Sequence, residues 1–485
     1  MLVKNKFCRT KILCTLGPAC DNEEIVRDLI KEGLDGVRFN FSHGTHQEHL
    51  ERIKRFRKIE KEFGLKLPCI LDTNGSEIRL GNFAEPVVLK EGQKYTLTTQ
   101  EVPGDINQAT VSHKGITKDL KPGDKVLIDD GLVELDVDSI TDTDVLCIVK
   151  NSGKISSHKG VNLPGIKTTL PSLTEKDIED IKFGVENGFD FVAASFIRTK
   201  EDCLNIKKYL KQLGGEHVKL IAKIENQEGL DNLDEILSEC EGIVVARGDL
   251  GVEIPIQRIP IEQKRIIRKC FRAGKIVIIS TQVLESMKTN PRPTRAEVTD
   301  VSNAIIDGST AILLSGETAS GKHPIEALKY LNRICLETEK HLDLTNLSCS
   351  LSDFKKADLT SPLVYKKVMC YSSCVTANLL KASAIICVTV DGMSPIILSG
   401  YRAKAPIFAI TKNEQLARHL SLYWNVHPVF VESSVNSSDL VQKGIEKFKE
   451  LKLLIPGDTV VIAGNDEINE EEKHASMVSF IMKVK

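Results

Sequence analysis

The chain has 485 residues, with 65 basic against 67 acidic side chains, a net charge of -2 and 41% apolar residues. At roughly 150 residues per domain that length suits about three domains, and the even charge balance excludes a nucleic-acid coat or a membrane-surface binder. Thirteen cysteines, an odd number with no C-x-x-C pair, read as free thiols of a reducing cytosol, and no run of 18 apolar residues suggests a membrane span.

Short apolar, β-branched runs at 10–16, 36–41, 69–71, 189–196, 218–224, 242–246, 275–279 and 310–314 read as eight strands. Amphipathic helical patterns lie between most of them; Leu50, Ile53, Phe56, Ile59 and Phe63, for instance, share one helix face. Asp21-x-x-Glu24, Ser172-x-x-Glu175 and Thr294-x-x-Glu297 read as capping boxes. Eight strands alternating with helices predict a closed (β/α)8 TIM barrel. The alternation breaks after the third strand. Residues 76–171 are rich in alternating strand patterns, with a hairpin signal at Asp130-Gly131, and are expected to form an inserted β-barrel lid on the C-terminal rim. After a polar stretch at 342–356, further strands near 384–390, 407–411, 427–431, 459–464 and 479–484 predict a C-terminal, mostly parallel open-sheet α/β domain. The expected division is 1–75 with 172–345 for the barrel, 76–171 for the lid and 346–485 for the last domain.

In such a barrel the site is assembled at the C-terminal ends of the strands. Those positions hold Arg38, Asn40 and Ser42; Asp72 and Thr73; Ser195; Lys223 and Glu225; Arg247 and Asp249; Thr281; and Ser315 and Glu317. A single charged residue past an apolar run is ordinarily solvated; carboxylates, cations and hydroxyls converging on one mouth are not explained that way. Glu225 and Asp249, ending adjacent strands, suit a hard divalent cation such as Mg2+. Lys223, two residues before Glu225, faces the same side of its strand, and a lysine there needs an anion. A transferring phosphoryl group is the natural one. Asn40, Ser42, Asp72 and the Thr73 carbonyl supply only oxygens, which suits a monovalent cation. His43, His46 and His49 have no partners at zinc spacing.

Eight ordered motifs carry a resemblance to a known family. They are Thr10-Lys-Ile-Leu-Cys-Thr-Leu-Gly-Pro, Arg38-Phe-Asn-Phe-Ser-His-Gly, Lys159-Gly-Val-Asn-Leu-Pro-Gly, Lys223-Ile-Glu-Asn, Ala246-Arg-Gly-Asp-Leu-Gly, Thr281-Gln-Val-Leu-Glu-Ser-Met, Pro291-Arg-Pro-Thr-Arg-Ala-Glu and Leu314-Ser-Gly-Glu-Thr-Ala. The chain resembles pyruvate kinase over 10 to about 325, and more weakly in its C-terminal domain. The resemblance implies phosphoryl transfer from phosphoenolpyruvate to ADP in the cytoplasm, with Mg2+ (or Mn2+) and K+, by a homotetramer that binds neither nucleic acid nor membrane. Carried onto this chain, it implies that Glu225 and Asp249 hold Mg2+, and that Lys223 and Arg38 meet the phosphoryl group. Gly248 and Asp249 would offer backbone N–H groups to the substrate carboxylate, and Thr281 would sit by the enolate carbon. Asn40, Ser42, Asp72 and Thr73 would bind K+, and Asn40, His43, Arg79 and, from the lid, Lys159 would meet the nucleotide.

Two departures stand where the chain enters the lid. Asn74 and Ser76 occupy positions where the family commonly has Lys and Pro, so the hinge loses a fixed φ and a charge. Glu77 accompanies K+ dependence in the family, whereas Asn74 and Leu80 do not follow that pattern. In the C-terminal domain, Asp391 stands in the loop 389–394 where a hydroxyl would be expected, and five carboxylates crowd 465–473, an arrangement that predicts little or no activation by fructose 1,6-bisphosphate. Two other readings compete: aldol or enolisation chemistry on the same mouth, which leaves the lid without a task, and a non-catalytic binding subunit, which would not need every charged residue kept.

Overall fold

Eight apolar strands pair side by side until the last meets the first. In the computed structural model, which describes residues 8–344, 361–432, 437–465 and 477–485, they are Lys11–Thr15, Gly36–Asn40, Cys69–Asp72, Phe191–Ala194, Lys219–Ile224, Gly242–Ala246, Ile276–Ser280 and Ala311–Leu314. All pairings are parallel, and Lys11 opposite Ala311 closes the barrel. Residues of both parities are buried because one set fills the barrel and the other packs under the helices. Leu13, Ile70, Ile221, Val244, Ile278 and Leu313 share the inner cluster, while their neighbours Ile12, Leu71, Leu220, Ile243, Val277 and Ile312 join the outer one. Each such side chain contributes roughly 1.5–3 kcal/mol by leaving water. The same parity turns Arg38, Asn40, Asp72, Ser195, Lys223 and Glu225 inward as the strands reach the mouth.

The helix starts agree in part with the capping signatures. Thr294 and Glu297 form the expected box. The first barrel helix, Glu23–Lys31, is instead capped by Asn22, because Asp21 is taken in a bidentate pair by Arg52 at 2.8 and 3.0 Å. The helix Glu175–Glu186 is capped by Thr174 with Asp177, two residues beyond the expected Ser172.

Between the third and fourth barrel strands lies a seven-stranded mixed sheet running from Ile78–Arg79 to Gly160–Asn162. It curls until its edges meet at the Leu80–Val111 bridge, backed by Gly81 N–H to the Thr110 carbonyl at 2.8 Å. Asp129 and Asp130 take the left-handed conformation, with Gly131, in the hairpin between Lys125–Ile128 and Val133–Ile140. The C-terminal sheet runs in the order Val426–Phe430, Ile407–Thr411, Ala384–Val388, Thr459–Asn465, Met477–Lys483, parallel except for the last strand. The acidic stretch 466–473 and most of the boundary at 342–356 lie outside the described residues. In the loop 389–394, Asp391 pairs with Lys366 at 3.1 Å and caps the Met393 N–H at 2.9 Å. The twelve described cysteines are free and buried, and no described helix is long and apolar enough to cross a membrane.

The C-terminal domain meets the barrel at the N-terminal ends of its strands, opposite the mouth. Lys11 Nζ donates to the Val426 carbonyl at 2.7 Å, and Arg402 Nη2 to the Gly308 carbonyl at 2.7 Å. His419 is buried against Phe191 with its Nε2 3.2 Å from the Asp190 carbonyl, and burial pushes its imidazole down to about 4. The folded chain therefore binds this proton less readily than the unfolded chain, so stability present above pH 6.5 is lost as the pH falls toward 4, on the order of 3 kcal/mol. Thermal unfolding between pH 7 and 4.5 should show a midpoint that falls more steeply in the parent than in His419→Gln.

Candidate active site

Third, fourth and fifth strands meet around one ammonium. Lys223 Nζ donates to Asp72 Oδ1 at 3.0 Å and to Ser195 Oγ at 2.7 Å, and lies 3.0 Å from Glu225 Oε1. Burial alone would depress such an ammonium, but Asp72, Glu225 and Asp249 outweigh it and the group stays charged well above neutral pH. Asp72 is shared: Arg38 Nε donates to its other oxygen at 2.7 Å. Burial opposes its ionisation, yet Arg38 and Lys223 hold its carboxyl below the usual range.

Ser195 completes the frame. Its hydroxyl donates to the Thr73 carbonyl at 2.7 Å while accepting from Lys223, and its N–H donates to Thr73 Oγ1 at 3.0 Å. The following residue, Phe196, sits in the left-handed region at φ 54° and turns its N–H onto Glu225 Oε2 at 2.7 Å. The other oxygen of Glu225 is buried and makes no hydrogen bond, the nearby Lys223 being out of line. Burial, with Asp249 adding to it, pushes the Glu225 carboxyl up to about 7. Glu225 and Asp249, the former with a buried oxygen that no hydrogen bond takes, form a donor set that a hard divalent cation fits.

The seventh strand ends in strain. Thr281 and Gln282 both adopt positive φ, 62° and 51°, which is costly outside glycine. Arg247 holds them there, with Nη2 donating to the Thr281 and Gln282 carbonyls at 2.8 Å each and Nη1 reaching Asp300 at 2.5 Å. The result places Thr281 Oγ1 2.8 Å from the Gly248 N–H, which donates to it. Arg247 and Glu317, both at strand ends, thus serve the scaffold. Glu317 is buried and accepts from the Leu284 and Ser315 N–H groups at 2.9 and 2.8 Å.

Of the oxygen set, Asn40 is the register partner of Asp72, and its Oδ1 accepts from the Ser42 N–H at 3.2 Å. A cleft of about 330 Å3 separates barrel from lid, lined among others by Arg79, Asp129, Asp130, Lys159, Asp249 and Glu253. Lys159 pairs with Asp129 at 2.8 Å, and Arg79 with Glu77 and with the His158 carbonyl at 2.8 Å. His43 is exposed on the loop after the second strand, outside that lining. Sequence reasoning placed Ser195 at a strand end without seeing that it joins Lys223 to Thr73; its inward parity two residues past Ala193 was the available signal.

The pyruvate kinase barrel-domain model matches residues 7–328, and the pyruvate kinase alpha/beta-domain model matches 367–479. The chain belongs to the pyruvate kinase family. It is 44% identical over 463 residues to a pyruvate kinase of Clostridium acetobutylicum, covering 95% of this chain and 97% of that one. A pyruvate kinase of Clostridium perfringens is 42% identical over 457 residues, with 94% and 96% covered. The pyruvate kinase of Sporosarcina psychrophila is 41% identical over 468 residues, 95% of this chain and 78% of its own. The family's barrel, lid and C-terminal sheet are those described above.

Removing the Ser195 hydroxyl leaves the Thr73 carbonyl without its donor and Lys223 without one acceptor. Ser195→Ala should cost about 1–3 kcal/mol of stability. Denaturant unfolding checks the loss.

Proposed function

We propose that this chain transfers a phosphoryl group from phosphoenolpyruvate to ADP, giving pyruvate and ATP, as the closing step of glycolysis in the cytoplasm. The observation that carries this reading is Lys223 clamped at the barrel mouth by Asp72, Ser195 and Glu225. Arg38 and Lys223 face three carboxylates, Asp72, Glu225 and Asp249, so once Glu225 is ionised the innermost mouth carries one net negative charge. That charge repels a phosphate. Mg2+ on Glu225 and Asp249 would reverse the sign and supply a Lewis acid to the substrate oxygens.

Phosphoryl transfer asks for positioning and charge neutralisation more than for covalent chemistry. Lys223 and Arg38 take the phosphoryl oxygens, each already oriented by Asp72. The substrate carboxylate goes to the Gly248 and Asp249 N–H groups, the former exchanging its present bond to Thr281 for one to substrate. The Thr281 hydroxyl, which donates to the Ser280 carbonyl at 2.7 Å, lies beside the enolate carbon, where a proton must arrive. Asn40, Ser42, Asp72 and Thr73 hold K+, and Asn40, His43, Arg79 and Lys159 the nucleotide. The domains divide at 75/76, 171/172 and 345/346, and four copies assemble.

A coupled assay for pyruvate formed from phosphoenolpyruvate and ADP tests the reading directly, and absence of pyruvate would reject it. Lys223→Met should lower turnover by about 10²-fold or more while half-saturating phosphoenolpyruvate moves only a few-fold, because the ammonium acts on charge that develops during transfer. In tetramethylammonium buffer the enzyme should be weakly active and recover on addition of K+. Fructose 1,6-bisphosphate should leave the phosphoenolpyruvate saturation curve nearly unmoved, since Asp391 already caps the helix start that a phosphate would use.

A further inference from the structure

The sixth strand runs into a helix of seven residues, Arg247–Glu253, whose two ends face different parts of the cleft. Its first turn carries Gly248 and Asp249 and is pinned to the seventh strand by Arg247. Its last turn meets the lid twice. Glu253 Oε1 accepts from Asn162 Nδ2 at 2.9 Å. Beside it, a methyl of Val252 lies 3.9 Å from where a side chain on Gly131 would begin, at the tip of the Asp129–Asp130 hairpin. These lid segments are the ones that carry Lys159 and Asp129, the ion pair overhanging the cleft.

Among the described residues, the other polar contacts between lid and barrel are an ion pair of Lys167 with Glu228 at 3.5 Å and a cluster at the hinge. Ser76 Oγ donates to the Pro171 carbonyl at 2.6 Å, tying the entering and leaving strands together, and Arg198 donates to the Thr168 and Leu170 carbonyls at 3.2 and 2.7 Å. A rotation of the lid about the hinge moves those bonds least and the Glu253 bond, which lies beyond it, most. The donor that holds Glu253 is Asn162 of the lid, in a setting where burial disfavours the carboxylate's charge. Swinging the lid away strips that donor, and water must replace it.

We propose that Glu253 is the positioning residue that couples substrate binding to lid closure, gripping Asn162 from the helix whose opposite end receives the substrate carboxylate. The coupling rests on the phosphotransfer reading above. A helix of this length is a rod of about 10 Å. Substrate that fixes its first turn through Gly248 fixes its last, and an ordered Glu253 holds the lid segments that bear Lys159 over the nucleotide. The coupling is reciprocal: a lid held down favours substrate at the first turn.

Spin labels on the exposed positions Lys154→Cys of the lid and Glu235→Cys of the barrel report the lid–barrel distance in the full chain, the described native cysteines being buried. Without substrate, Glu253→Ala and Asn162→Ala should each lengthen and broaden that distance relative to the parent. With Mg2+ present, half-maximal shortening should need at least fivefold more phosphoenolpyruvate in either variant, with kcat/KM for ADP falling by a similar factor. Glu253→Gln, which keeps an acceptor for Asn162, should stay within about twofold of the parent, and the double alanine variant should be no worse than either single one. Alanine variants with the parent's distance distribution and titration would overturn the coupling, as would effects that multiply in the double variant. A Gln variant as impaired as Ala would also overturn it, because the charge would then be acting on substrate directly. Asn162 lies on the lid, so its variants decide the matter if Glu253→Ala does not fold. A parent that closes on phosphoenolpyruvate, with the variants impaired as stated, supports the coupling even where pyruvate is not formed, whereas a parent that forms pyruvate with unaltered variants refutes the coupling and leaves the phosphotransfer reading standing.

Discussion

An ammonium buried inside a barrel must be surrounded before anything else can be arranged. Lys223 is 9% exposed, and its neighbours come from three different strands: Asp72 from the third, Ser195 from just past the fourth and Glu225 from just past its own. Removing one of the two carboxylates leaves an uncompensated charge and costs about 3–5 kcal/mol, so the register of these strands is tied to the chemistry at their ends. Arg38 extends the frame to the second strand through Asp72, and the Asp249 carboxylate extends it to the sixth. The site and the alignment of the strands that carry it are held by the same bonds.

The molecule separates stability from chemistry along the barrel axis. At the N-terminal ends of the strands, His419, Arg402 and Lys11 stitch the C-terminal sheet to the barrel floor. At the opposite ends lie the left-handed residues Phe196, Thr281 and Gln282, which the surrounding bonds hold in conformations their side chains disfavour. Glu225 holds the first of these, and Arg247 the other two. Carboxylates and guanidinium groups thus spend part of their bonding capacity shaping backbone, which aims the Gly248 N–H and the Thr281 hydroxyl at one point.

The lid depends on the same economy of contacts. Its curled sheet has a core of its own, including Leu97, Val126, Ile128, Leu135 and Val145, and so can move as a body. What it shares with the barrel is a hinge around Ser76, Pro171 and Arg198, the ion pair of Lys167 with Glu228 and the distal grip of Glu253 on Asn162. The serine in place of proline exchanges a fixed φ for a hydrogen bond between the two hinge strands, which restrains the lid without stiffening its backbone.

Composition, strand periodicity and eight ordered motifs were enough to read the barrel, its insertion, the C-terminal sheet and the mouth residues from Arg38 to Thr281. Those features are local: an apolar run with period two is a strand wherever it packs, and the residue after it stands at the strand's end. The sequence could not tell which polar residues would find each other. Asp21 looked like a helix cap until Arg52 claimed it, and Thr174 capped the helix assigned to Ser172. Arg247 and Glu317 looked like mouth residues until the backbone amides and carbonyls around them took their bonds. Ser195 and Lys223 stand 28 positions apart, Lys223 and Asp72 151, and Asn162 and Glu253 91. A hydrogen bond is worth making only where its partner has been brought within 3 Å, and over such separations only the closed barrel and its lid bring the partners together.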